Sequence, residues 1–175
     1  MPFDRKKLRL HYNKDTGEII CRYGWKDIKQ ANGEGVYGCR HHFRIGDYWL
    51  KAEWWNTKIR TWKGRSYTQA FNEYHFLTHR IKDEDRRFFC TLVDSTKRWS
   101  RAKVHYTVWP YVKLRQIDVD KKKNEEVVAQ CESIVRRLCN TYKLSDVEHR
   151  INSNWYIMDG QPLIVDAGLA DYKRS

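Results

Sequence analysis

The chain has 175 residues, 41% hydrophobic and 14% aromatic, which is apolar material for one ordinary core and excludes two large domains. Thirty-four Lys and Arg against 22 Asp and Glu leave a formal charge of +12, which favours encounter with nucleotides, nucleic acids or acidic protein surfaces and fits a solvated basic surface equally well. Five cysteines (Cys21, Cys39, Cys90, Cys131, Cys139) with no C-x-x-C pair fit neither a disulfide framework nor a zinc ribbon. With no apolar signal-peptide core and no run near the roughly 20 apolar residues of a membrane span, a soluble, reduced, cytoplasmic protein of one compact unit, at most bilobed, is expected.

In chain order, Leu8 to Tyr12, the turn Asp15-Thr16-Gly17 and Ile19 to Tyr23 read as a hairpin. Tyr48 to Trp55 and Val104 to Leu114 are aromatic and β-branched runs of strand length. Between them the spacing of Ala70, Phe71, Tyr74, Leu77 and Ile81 predicts a helix over Tyr67 to Ile81, capped by Ser66. The polar run Gln116 to Asn124 is the expected break, dividing residues 1–115 from 116–175. After it, Val127, Val128, Cys131, Ile134, Val135 and Leu138 form a second helical stripe, with Glu125 and Glu126 in the first turn where the helix dipole favours acids. A polar loop, Ser145 to Asn154, leads to two short apolar runs, Trp155 to Met158 and Leu163 to Val165, joined by the hairpin signal Asp159-Gly160. Strands, helix, strands, helix, loop and hairpin make an α+β chain.

Gly33-Glu34-Gly35-Val36-Tyr37-Gly38 is a G-x-G-x-x-G whose missing side chains would let backbone N–H groups approach phosphate oxygens. A dinucleotide fingerprint would open a helix, whereas strands flank this one, which also leaves a plain hairpin turn open. Lys51 lies on the following strand, and Glu73 sits mid-helix at the edge of the apolar stripe, where it could reach Lys51. A buried ammonium needs such a partner, because an unpaired one would lose its proton. Taken singly, either residue reads as a solvated surface charge.

Glycine loop, lysine, helical glutamate, Leu144-Ser145-Asp146-Val147-Glu148-His149, and Asn154 through the hairpin to Asp166-Ala167-Gly168 occur in the order of a protein kinase, and the chain resembles that family from about Gly33 to Ala170. The resemblance is strongest to the short, divergent kinases of lytic bacteriophages, which phosphorylate host proteins. It implies a kinase-like N-lobe of antiparallel sheet plus one helix, and a truncated, minimal C-lobe. It implies ATP and Mg as ligands, with Gly33, Gly35 and Gly38 over the phosphates and Lys51 with Glu73 positioning them. Asn154 and Asp166 would hold metal, Asp146 would orient the acceptor, and Tyr106 to Val112 would be the fifth strand and hinge, placing Tyr111 and Val112 against adenine. Glu148 stays open as the base in place of Asp146, and Asn152 as the metal ligand in place of Asn154.

Arg40 and Trp49 stand where a kinase usually carries a valine and an alanine against adenine, and the few residues after Asp166 leave out the activation segment. These departures keep open a pseudokinase that binds and blocks a host protein. A third reading, less favoured, is a basic nucleic-acid binder, from Trp49, Trp54, Trp55 and Trp62 amid Lys51, Lys58, Arg60, Lys63 and Arg65. Its bland counterpart is an aromatic core strand followed by a basic loop. His75 and His79 share a helix face as zinc ligands can, with no third ligand evident, and His149 reads equally as a structural hydrogen-bonder.

Overall fold

A computed structural model describes residues 2–31, 40–57, 60–62, 65–111, 125–144, 147 and 154–166, with 60–62 and 65–67 described as backbone. The fold is α+β, with antiparallel sheets and two α-helices among the described residues. Two compact units divide the chain: residues 1–74 with 91–111, and residues 75–90 with 112–175.

The first unit begins with β1 (Leu8–Tyr12), β2 (Ile19–Tyr23) and β3 (Lys26–Ile28), a three-stranded antiparallel meander. Its first two strands form the expected hairpin, with Leu8 opposite Tyr23 and Tyr12 opposite Ile19, and Gly17 takes φ +73° in the turn, where a side chain would be strained. A second sheet has the order β4-β5-β9-β8. Its members are β4 (His41–Ile45), β5 (Tyr48–Trp54), β8 (Asp94–Ser95) and β9 (Val104–Pro110). Beyond β4 the sheet is extended by a bridge from Gln30 to Phe43 and by the Ala31 N–H donating to the His42 carbonyl at 2.8 Å.

Strand alternation sorts the side chains of this sheet into two layers. On one face Phe43, Ile45, Leu50, Ala52, Val104, Tyr106 and Val108 join Leu8, Ile19 and Cys21 of the meander in one buried cluster. On the other face stand Arg40, Lys51, Glu53, His105 and Thr107, all buried. Where the sequence suggested a basic loop after the aromatic strand, β6 (Arg60–Trp62) and β7 (Arg65–Tyr67) pair as a short hairpin. That pairing also moves the start of the first helix. Ser66 is paired with Thr61, and α1 runs Gln69–His79 with Thr68 as its cap, the Thr68 hydroxyl accepting from the Phe71 N–H at 3.3 Å.

In the second unit, α2 (Glu125–Tyr142) buries Cys131, Val135 and Leu138, the centre of the stripe seen in the sequence. The antiparallel hairpin of β10 (Trp155–Met158) and β11 (Gln161–Ile164) turns at Asp159 and Gly160, whose φ values of 50° and 74° suit a tight turn between twisted strands. Phe76, Phe89 and Tyr142 meet edge-on, with centroids 5.5 to 5.9 Å apart. Buried Asp85, in a 3-10 segment over Asp83–Phe88, accepts from the Arg137 guanidinium and the Tyr142 hydroxyl, each at 2.7 Å. The hydrogen bond from Arg137 is the main reason its carboxyl is held below the usual range. Because the folded value is depressed, this stabilisation is complete above the unfolded value near 3.8 and is lost as pH falls through the folded one. Asp85→Ala is expected to cost about 2 kcal/mol at pH 7. Urea unfolding at pH 7 and again at pH 3, where the difference from wild type should shrink, checks it.

The four described cysteines are free thiols, and burial pushes Cys21 up to about 12, leaving it unreactive. Among the described residues no helix is long and apolar enough to cross a membrane.

Candidate functional site

The polar face of the second sheet, with α1 against it, holds the densest set of buried ionisable groups in the described chain, and it includes two of the residues singled out from sequence. Glu73 is fully buried, so the helix turns a carboxylate inward where its apolar stripe suggested an edge position. Lys51 Nζ lies 3.4 Å from Glu73 Oε1. Arg40 approaches the same oxygen more closely, with Nη1 at 2.8 Å, and the Thr107 hydroxyl donates to Oε2 at 2.9 Å. The Trp109 indole N–H in turn donates to Thr107 Oγ1 at 3.1 Å, and the Lys51 ammonium lies 5.1 Å from the centroid of the Trp109 ring. One carboxylate therefore serves two cations and a hydroxyl, and its position is fixed from three sides. Such over-determination suits a group that has to hold a cation in place.

Glu53, next on the same face of β5, accepts a hydrogen bond from the Ala70 N–H at 2.5 Å, at the N-terminus of α1, where unpaired amides and the helix dipole attract an anion. Burial outweighs that attraction and raises its carboxyl to about 7, partly offset by the Ala70 N–H and by Arg40. Beside it Thr68 Oγ1 and His105 Nδ1 are 2.7 Å apart, and His105 Nε2 is 2.8 Å from the Trp99 carbonyl oxygen. The carbonyl can only accept, which puts a proton on Nε2, and burial lowers the pKa of the imidazole.

Reading the sequence missed Glu53, Thr68, His105 and Thr107, and it took Arg40 only as a departure from a pattern. A signal for this layer was available in β9. Its alternate residues His105, Thr107 and Trp109 are polar or aromatic without one Lys, Glu or Asp, as befits a polar face that is covered and not solvated.

At the open end of this face stands an aromatic group. Trp49, half-buried, has its ring 6.0 Å from Tyr111 and 5.6 Å from His42, and the Arg44 guanidinium lies 4.1 Å above the Tyr111 ring. The Tyr111 N–H donates to the Asp47 carbonyl at 2.7 Å. Trp49 and Lys51 share a face of β5, as the two-residue spacing requires, so the tryptophan does stand on the side of the lysine.

In the second unit the β10–β11 hairpin brings Asn154 and Asp166 together at its open end. The Asn154 carbonyl accepts from the Val165 N–H at 2.9 Å and from the Asp166 N–H at 3.4 Å. These backbone contacts put the two residues on neighbouring chain segments, and a side-chain amide oxygen and a carboxylate are hard donors of the kind magnesium takes. His75 and His79 have ring centroids 5.1 Å apart on α1, and among the described residues no group of three or more His, Cys, Asp or Glu gathers as a metal cluster would. Gly33, Gly35, Gly38, Val112, Asp146, Glu148, His149 and Asn152 lie outside the described residues.

No protein-family model, no curated protein and no solved structure matches this chain.

Proposed function

We propose that this chain is a minimal kinase-like protein that binds Mg-ATP and transfers the γ-phosphate to a Ser or Thr hydroxyl of a host protein. The observation that carries the reading is the buried approach of Lys51 to Glu73 at 3.4 Å, which joins β5, the second strand after the glycine-rich segment, to α1, as the family requires. The arrangement around it agrees. The segment of Gln30 and Ala31 pairs with β4, the glycines lie between them in sequence, β5 carries Lys51 next to β4, and β9 adjoins β5 and leads to Tyr111.

Lys51 would neutralise the α- and β-phosphate oxygens, with Glu73 keeping its ammonium charged and aimed. Asn154 and Asp166 would hold magnesium, which supplies charge neutralisation on the phosphates. In the transfer the acceptor oxygen bonds to the γ-phosphorus, the bond to the β–γ bridging oxygen breaks and ADP leaves. Asp146 or Glu148 takes the hydroxyl proton. Positioning and electrostatics would supply most of the acceleration.

Two observations favour a second reading, a pseudokinase that binds and blocks its target: Arg40 is nearer to Glu73 than Lys51 is, and the Trp49 ring stands by Tyr111. One experiment separates the two. Labelled ATP with magnesium should give phosphate incorporation into a host extract, and Asp166→Ala should reduce it about 10²-fold or more. Equal incorporation by both proteins would sink the enzyme assignment. Mg-ATP at a hundred times its Kd should stabilise a nucleotide-binding fold by about 2.7 kcal/mol, and no shift in Tm would leave the pseudokinase.

A further inference from the structure

We infer that a second site, independent of the nucleotide reading, binds single-stranded nucleic acid in a groove of the first unit between β1 of the meander and the end of the central β5–β9 pair, where Trp54 stands opposite Val104. The groove has a volume of about 820 Å³, within the range of ligand clefts. Four of its lining residues are Tyr or Trp: Tyr106, which is buried, and Tyr12, Trp54 and Trp55, which form a row. Tyr12 and Trp54 stack in parallel, with centroids 4.7 Å apart and planes 8° from coincidence, and Trp55 meets Trp54 edge-on at 6.2 Å. The Trp55 N–H donates to the Lys103 carbonyl at 2.9 Å, which ties the exposed end of this aromatic row to the neighbouring chain. Trp55 keeps 41% of its surface open.

Cations surround these rings. Arg5, Lys14 and Lys103 line the groove against a single carboxylate, Asp15, among the described residues, and all three are exposed. Arg5 also lies 3.9 Å from Asp94, a long ion pair, and with its side chain 44% exposed it is only weakly held there. Flat π-surfaces beside a track of positive charge are the two features that bind an unpaired strand: bases stack and phosphates are neutralised. An acidic peptide would use the charges and leave the row of rings unexplained. The basic-aromatic run seen in the sequence is divided by the strand. Trp49 and Lys51 stand on the polar face of β5, while Trp54 lies on the side of Leu50 and Ala52, against Tyr12. Among the described residues the groove takes its cations from Arg5, Lys14 and Lys103, which lie far in sequence from the basic-aromatic run.

Fluorescence anisotropy with a labelled oligothymidine, and with an oligouridine of the same length, tests the site. Binding should weaken as salt rises, with a slope of log K on log salt near −2, about 0.7 for each of three phosphate contacts. Trp55→Ala, a change at an exposed side chain, should weaken binding about tenfold or more. Lys103→Ala should flatten the slope, while Lys26→Ala, an exposed lysine away from the groove, should leave affinity within twofold. A duplex of the same length should bind at least tenfold more weakly, because its bases cannot stack on the rings. Equal loss from Lys26→Ala and Trp55→Ala, equal affinity for the duplex, or preferential capture of a polyglutamate peptide in a manner sensitive to Trp55→Ala would each overturn the inference.

Discussion

Glu73→Gln is expected to destabilise the first unit by about 3 to 5 kcal/mol, the cost typical of breaking a buried ion pair from one side. The argument rests on what the substitution leaves behind. Glutamine can still accept the Thr107 hydroxyl, so shape and one hydrogen bond survive, but Arg40 and Lys51 are 4% and 6% exposed and both lose their carboxylate. Two buried cations then lose the carboxylate they share, and each is too deeply buried to exchange it for bulk water without a local rearrangement. The geometry also ranks the partners. Arg40, at 2.8 Å against 3.4 Å for Lys51, should matter more to stability, and the Trp109 ring 5.1 Å from the Lys51 ammonium softens that lysine's dependence on Glu73. Urea midpoints for Glu73→Gln, Arg40→Met and Lys51→Met, at unchanged m-value, should therefore fall in that order of severity. A Glu73→Gln protein within 1 kcal/mol of wild type would show that the carboxylate does not hold the cations. The ranking also bears on function: if Lys51→Met is mild for stability yet abolishes nucleotide binding, the lysine is kept for its ligand and the arginine for the fold.

The parts of this molecule that local pattern can specify were legible in the sequence, and those that depend on distant pairing were not. The β1–β2 hairpin follows from alternating Leu8 and Leu10, from Ile19 and Cys21, and from a glycine at a turn that needs positive φ. Helix α2 follows from its stripe, and the β10–β11 turn from Asp159-Gly160. Ser66 looked like a helix cap because Ser is a good cap anywhere. Only the β6–β7 pairing, which places Ser66 opposite Thr61, leaves Thr68 as the residue that starts α1. The polar layer was hidden for a related reason. Lys51 and Glu73 read singly as surface charges and Arg40 as a departure from a pattern, and with Glu53 they become a buried set only when β4, β5 and β9 are aligned and a helix covers them. Lys51 and Glu73 were found through a family pattern, which encodes such long-range proximity; Glu53 belongs to no such pattern and was passed over.

Glu53 supplies the second large effect, one that depends on pH. Its folded value of about 7 lies above the unfolded 4.5, so between those values the native state holds a proton that the unfolded state has lost. Stability from this group is present in full below about pH 4.5 and is lost as pH rises through about 7, by roughly 3 kcal/mol. The histidines act in the opposite sense. Burial lowers His41, His75 and His105, so the unfolded chain takes up protons that the native one refuses, and they add stability as pH rises through the normal histidine range near 6.5. The wild-type pH profile is therefore a difference of opposing slopes, and its net shape cannot be assigned to one residue. Glu53→Gln removes one slope and leaves the others, and its side-chain carbonyl can still accept from the Ala70 N–H. The expected result is a variant that gains on wild type by roughly 3 kcal/mol between pH 5 and pH 8, read as the difference in urea midpoints at the two values. A difference that stays constant across that interval would mean that the carboxyl ionises near its ordinary value and that the Ala70 N–H, Arg40 and the helix N-terminus together outweigh its burial.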